Sequence, residues 1–69
     1  MNTTRTLTLN GKTRDTDART VRELIEQLGY GQQAVAVEVN RELIPRKDHE
    51  QTELRDGDSV ELVTLVGGG

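Results

Sequence analysis

Residues 5–29, RTLTLNGKTRDTDARTVRELIEQLG, decide the fold. Arg5-Thr6-Leu7-Thr8-Leu9 alternates polar and apolar side chains, the period of a strand with one buried face. Asn10-Gly11 follows, a pair that accepts positive φ at both central positions of a type I′ turn, so a hairpin is predicted. Its return strand, 12–16, is polar and belongs at a sheet edge, where charge discourages further pairing. The period then changes. Val21, Leu24, Ile25 and Leu28 recur at spacings of three and four, the stripe of an amphipathic helix. Thr20 stands where an N-cap is needed, with Glu23 three positions on to complete a capping box, and Gly29 supplies a left-handed residue at the other end. A helix of roughly two turns is not stable alone, so it must fold against a sheet.

Working outward, Ala34-Val35-Ala36-Val37-Glu38-Val39 again has period two, with the three valines on one face. Asn40-Arg41 turns the chain into Glu42-Leu43-Ile44, and Pro45, which has no amide to donate, limits that piece to a short or edge strand. Residues 47–53 are polar and read as a loop or a short helical turn, with Leu54 dropping back to the core. Asp56-Gly57-Asp58 is a turn. Residues 59–66 form the last and most apolar strand. Val60, Leu62, Thr64 and Val66 point one way, and Glu61, Val63 and Leu65 the other, a composition suited to the middle of a sheet. A hairpin followed by a helical crossover lets a later strand enter parallel to the first. The expected fold is α+β: a mixed sheet of four to five strands with one main helix across one face, the β-grasp or ubiquitin-like plan.

The composition is consistent with one small domain. Leu, Val and Ile number 8, 7 and 2 in 69 residues, about a quarter of the chain, which clears the roughly 20% below which charged chains stay disordered. The absence of Cys excludes disulfides, zinc–thiolate sites, iron–sulfur ligation and a catalytic thiol, and the single His49 leaves no imidazole cluster for a metal. No stretch is apolar for long enough to span a bilayer, and Met1-Asn2-Thr3-Thr4 does not open like a signal peptide, so a cytoplasmic protein without membrane association is expected. The net charge is −3, divided as +1 through Gln33 and −4 from Ala34 onward. Without a basic patch, and with Tyr30 the only aromatic side chain, the chain is a poor ligand for nucleic acid. Its second half would suit a positively charged protein surface, although a solvated acidic face also accounts for it. The carboxylates are scattered, no glycine pattern forms a phosphate loop, and no catalytic residue or metal ligand is assigned.

The remaining feature is the end of the sequence. Three glycines at a chosen place arise by chance on the order of 0.03% of the time, so Gly67, Gly68 and Gly69 call for an explanation. A frayed end or a cloning remnant is one. A functional one is physical: a body at 1–66 would launch a flexible tail at 67–69, about 10 Å long when extended and without a Cβ to obstruct a narrow channel. The Gly69 α-carboxylate is ionised at neutral pH and can attack the α-phosphorus of ATP in another protein's active site. The acyl adenylate so formed has a leaving group good enough for a weakly basic sulfur nucleophile. Such a chain would be the substrate and would need no catalytic residue.

In these residues the chain resembles the ubiquitin-like sulfur carriers of the ThiS type. The likeness runs through Leu7-Thr8-Leu9-Asn10-Gly11, Val21-Arg22-Glu23-Leu24-Ile25, Val37-Glu38-Val39-Asn40, Ile44-Pro45-Arg46, Leu54-Arg55-Asp56-Gly57-Asp58-Ser59-Val60-Glu61 and Val66-Gly67-Gly68-Gly69. The resemblance implies a carrier whose final glycine, Gly69, is adenylated by a ThiF-type adenylyltransferase that uses ATP. Gly69 is then converted to a thiocarboxylate with sulfur from a cysteine desulfurase relay and serves a ThiG-type thiazole synthase. Gly68 would belong to the diglycine that threads the active site, with Gly67 before it. No cofactor is expected to stay bound, and the free chain is expected to be a monomer. Relatives often carry an aromatic residue in the last strand where this chain has Leu65. Val63, Leu65 and Val66 are the expected partner-binding surface, Val63 and Leu65 lying on the sheet face away from the helix with Ala34 and Ala36 nearby. Three other readings remain: the small subunit of molybdopterin synthase, a modifier conjugated to lysines, and a β-grasp interaction module with an inert tail.

Overall fold

The computed structural model describes residues 4–31 and 33–65. Among them the elements run β1 (Arg5–Leu9), β2 (Lys12–Thr16), α1 (Val21–Gln27), β3 (Val35–Val39), β4 (Glu42–Ile44), a 3-10 turn at Arg46–Asp48, and β5 (Ser59–Thr64). The five strands form one sheet in the order β2-β1-β5-β3-β4. β5 pairs parallel with β1, and the β1–β2, β3–β5 and β3–β4 pairs are antiparallel. This is the mixed β-grasp sheet expected from the sequence, with five strands. The polar β2 and the short β4 lie at its edges, and the apolar β5 lies in its middle.

Both hairpins turn on left-handed residues. Asn10 and Gly11 have φ of 51° and 82°, and Asn40 and Arg41 have 53° and 72°. In each turn the asparagine side chain also reaches β5. β1 ends at Leu9, and there the Asn10 amide donates to the Val60 carbonyl (2.9 Å) while its Oδ1 accepts from the Leu62 amide (2.8 Å). On the other flank the Asn40 amide donates to the Ser59 carbonyl (2.7 Å) and its Oδ1 accepts from the Ser59 amide (3.0 Å). Each side chain supplies the acceptor that a longer neighbouring strand would otherwise provide, so β5 keeps its ladder where its partners run out.

The helix is capped as the spacing predicts, with one difference. Thr20 Oγ1 accepts from the Glu23 amide (3.2 Å), but the Glu23 carboxylate reaches back to the amide of Arg19 (2.8 Å). Residues 19–21 are instead engaged with 52–54: the Val21 amide donates to Thr52 O, and the Leu54 amide to Arg19 O. That tether carries Leu54 into the core. At the other end Tyr30 N donates to Ile25 O and Gly29 N to Glu26 O, the paired bonds of a Schellman motif around Gly29 at φ 88°.

The core joins Leu7, Val37, Val60 and Leu62 of the sheet to Val21, Leu24 and Ile25 of α1, with Ala18 and Leu54 from the connections. Thr16, on the polar return strand, is buried as well. Its hydroxyl donates to Gln27 Oε1 (2.6 Å) and accepts from the Ala18 amide (3.0 Å), and Gln27 in turn donates to Asp17 Oδ1 (2.6 Å). The end of β2 is thereby fastened to the end of α1. Asp15 and Asp17 bond to side chains, Thr6 Oγ1 donating to Asp15 Oδ1 and Gln27 Nε2 to Asp17 Oδ1. Asp56 and Asp58 do hold backbone, accepting from the amides of Thr6 (2.7 Å) and Arg55 (2.8 Å).

The expected strand at 34–39 begins at Val35. The one expected at 59–66 is regular only through Thr64, although the Leu65 amide still donates to Ala34 O (2.9 Å). Val66 lies outside the described residues.

Candidate functional site

Gly67, Gly68 and Gly69, the residues to which the sequence assigns the chemistry, lie outside the described residues, as does Val66. What is described is the base from which they continue. Leu65 is held by its backbone bond to Ala34, and the five residues before it belong to the central strand, which β3 flanks along Val60–Thr64 while β1 flanks it only at Ser59 and Val60. The point of departure is therefore anchored on the β3 side, by the ladder to Val35 and the Ala34 carbonyl.

The register of β5 sets what surrounds that point. Val60 and Leu62 face α1 and are buried, so Glu61, Val63 and Leu65 emerge on the opposite face. Val63 is 58% exposed and Leu65 54%. Ala36 is the cross-strand partner of Val63. Leu43, 63% exposed, is a third large apolar residue on this face, since it pairs with Glu38, itself opposite Glu61. The sequence reading named Val63 and Leu65 but not Leu43. The signal was available: a two-residue turn at Asn40-Arg41 forces Val39 opposite Glu42 and hence Glu38 opposite Leu43, which puts Leu43 on the outer face once the valines are assigned inward.

The outer face thus carries Val63 and Leu65 as an apolar pair at the end near Leu65, bordered by two carboxylates directly across from each other, Glu38 and Glu61, with Leu43 in line with them on the edge strand. Like charges so placed repel, and among the described residues neither is in an ion pair. Three apolar side chains more than half in water, on a chain whose core is small, form a surface that a protein partner can cover with gain. No group of three or more His, Cys, Asp or Glu side chains able to hold a metal ion is found among the described residues. His49, solitary in the sequence, is buried with its Nε2 3.1 Å from the Ile44 carbonyl. None of the described helices is long and apolar enough to cross a membrane.

With this geometry in view, comparison with known proteins is specific. The ThiS family model matches residues 3–69, nearly the whole chain. The chain is 39% identical over 61 residues to the sulfur carrier protein ThiS of Thermus thermophilus, covering 88% of this chain and 95% of that one. It is also 41% identical over 64 residues to a thiazole synthase of Paramagnetospirillum magneticum, covering 91% of this chain but spanning only 20% of the synthase. Among solved structures, the crystal structure of the thiamine biosynthesis protein ThiS from Geobacter metallireducens superposes with a TM-score of 0.78 at 38% identity, covering 93% of this chain and 99% of the other. A five-stranded β-grasp sheet, a central strand leading to the terminal glycines, and a match that extends through those glycines place this chain in the ThiS family.

Proposed function

We propose that this protein is a sulfur carrier for thiazole formation in thiamine biosynthesis, acting as a protein co-substrate and not as an enzyme. The observation that carries the proposal is the family match, which includes the terminal glycines and joins them to the central strand of the sheet. The Gly69 carboxylate attacks the α-phosphorus of ATP in a ThiF-type adenylyltransferase, and pyrophosphate leaves. A persulfide from a cysteine desulfurase relay then attacks the acyl carbon and displaces AMP, and a second thiol reduces the acyl disulfide to release the thiocarboxylate. The carrier then hands its sulfur to a ThiG-type thiazole synthase. Similarity of this chain to one fifth of a protein named thiazole synthase favours that enzyme as recipient over other sulfur pathways.

Gly67 and Gly68 thread the active sites, where side chains would not pass. The folded body serves as the handle, and its outer face, with Val63, Leu65 and Leu43, docks on the partners. The test is incubation with the adenylyltransferase, ATP and a sulfur source, followed by intact-mass measurement. Exchange of one oxygen for sulfur supports the carrier, adducts to other proteins point to a modifier, and absence of any adenylate refutes the proposal. Thiamine auxotrophy on deletion of the gene then assigns the sulfur to thiazole.

A further inference from the structure

On the side of the sheet that bears α1, a recess of about 20 Å³ opens between the helix and the loop that follows β4. Ile25 and Val35 form its apolar part, and Arg22, Arg46, His49 and Gln33 supply its polar groups. Two arginines in the lining of one recess are conspicuous on a chain of net charge −3. Only one of them has a carboxylate: Arg22 Nε meets Glu26 Oε2 at 3.2 Å. Its terminal nitrogens, and the whole Arg46 side chain, have no hydrogen-bond or ion-pair partner among the described residues. The imidazole between them is immobilised. His49 is buried, its amide donates to Arg46 O, its carbonyl accepts from Arg22 N, and its Nε2 engages the Ile44 carbonyl. An acceptor opposite Nε2 requires a proton there, which leaves Nδ1 as the remaining polar atom of the ring. The recess therefore has one fixed wall, at His49, and two arginines in its lining of which only one has a carboxylate partner.

Its size selects the occupant. A solvent-open recess of this volume takes the oxygen-bearing tip of one side chain at its mouth and excludes a nucleotide. Guanidinium forks match the two oxygens of a carboxylate. Its position is equally informative, because Gln33 and Val35 flank Ala34, the residue whose carbonyl holds Leu65. The recess thus opens at the end of the sheet from which the chain continues toward Gly69. We propose that it is a carboxylate seat, taking one Asp or Glu side chain of the protein that handles those terminal residues, on the face opposite the apolar docking surface. The inference rests on the reading that a partner processes Gly69. It adds a second, charged point of attachment that fixes the orientation of the carrier relative to its tail.

Two measurements test it, and both must hold. In the free, full-length protein, acetate titrated against chloride at constant ionic strength should produce saturable NMR shifts at the Arg22 and Arg46 side-chain Nε–H groups and the His49 ring. These should vanish in Arg46→Ala. No saturable shift overturns the seat, as does inorganic phosphate binding there while acetate does not. Second, Arg46→Glu and Lys47→Glu change the charge equally at adjacent positions, and only Arg46 lines the recess. Binding of each to the purified adenylyltransferase, measured by calorimetry, should weaken roughly tenfold or more for Arg46→Glu and less than about threefold for Lys47→Glu. Equal losses indicate steering by net charge and overturn the proposal, as does an unaffected Arg46→Glu. Arg46 is exposed and without an internal partner, so the variant should melt like the parent. If it transfers sulfur and binds normally, the carrier reading survives and the seat falls; if the parent protein forms no adenylate, the carrier reading falls and the acetate titration judges the seat independently.

Discussion

Asn10 performs two separable tasks, and three substitutions separate them. The first is to occupy φ 51°, which costs an ordinary L-residue about 1 kcal/mol. The second is to accept the Leu62 amide at 2.8 Å, across 52 positions of sequence. Leu62 is buried, and β1 has ended at this level, so without Asn10 Oδ1 its amide has no acceptor in the protein. Leaving a partly buried donor unpaired costs about 1 kcal/mol where water can approach, and up to about 3 where it cannot. Asn10→Gly keeps the turn and loses the bond, so it should cost about 1 kcal/mol. Asn10→Ala loses both and should cost about 2. Asn10→Asp keeps an acceptor and tolerates the left-handed region, and should stay within about 0.5 kcal/mol of the parent. For a domain of this size the total stability is of order 3–10 kcal/mol, so these differences are well resolved by urea denaturation followed by circular dichroism, with the slope m unchanged. If Asn10→Gly is as stable as the parent, or if Asn10→Asp falls with Asn10→Ala, the side chain does not act as a strand substitute and the reasoning fails.

Three further predictions address the surface and the helix. Leu65→Asp should leave folding nearly intact, because the side chain is already 54% exposed and its backbone bond to Ala34 persists; adenylation kcat/KM should fall roughly thirtyfold, from about 2 kcal/mol of lost apolar burial and added carboxylate desolvation, and unchanged kinetics in a folded variant would exclude this face from docking. Thr20→Ala removes the acceptor for the Glu23 amide and should lower stability by about 1 kcal/mol, or a Tm drop of about 4–8 °C; an unaltered melt would mean that the Glu23 carboxylate and the 52–54 tether suffice. Glu61→Gln relieves repulsion from Glu38 directly across the ladder and should raise stability by a few tenths of a kcal/mol at low salt, the gain shrinking as salt is added; destabilisation at low salt would contradict the like-charge reading.

The periodic parts of this chain were readable because each element is patterned for one buried face. Leu7 and Leu9, the Val21–Leu24–Ile25 stripe and the three valines of β3 announce strand and helix by spacing alone, and the two asparagine turns set the hairpin registers. What spacing cannot express is a side chain that acts at long range. Thr16 looked like part of a solvated edge, yet it is buried because Gln27 and the Ala18 amide satisfy its hydroxyl. Ala18 and His49 lie in connections without periodicity and are buried by the way those connections fold back. At the candidate site the outward direction of Val63 and Leu65 followed from alternation along one strand. Leu43 required a second inference, from β3 through the turn to β4. The recess lined by Arg22, Gln33 and Arg46 unites residues from three separate stretches and has no sequence signature.

β5 is the last strand to be synthesised and the middle strand of the sheet. Until residues 59–64 have left the ribosome, β1 and β3 each lack the neighbour that joins them, and the two halves of the sheet remain separate hairpins with one bare edge apiece. Nascent or truncated chains therefore offer proteases open strands and lack the completed outer face that carries Val63 and Leu65. Under the proposed function, the order of synthesis acts as quality control: Gly67, Gly68 and Gly69 are made only after the segment whose insertion completes the body, so a tail would be offered for activation only on a chain able to finish folding.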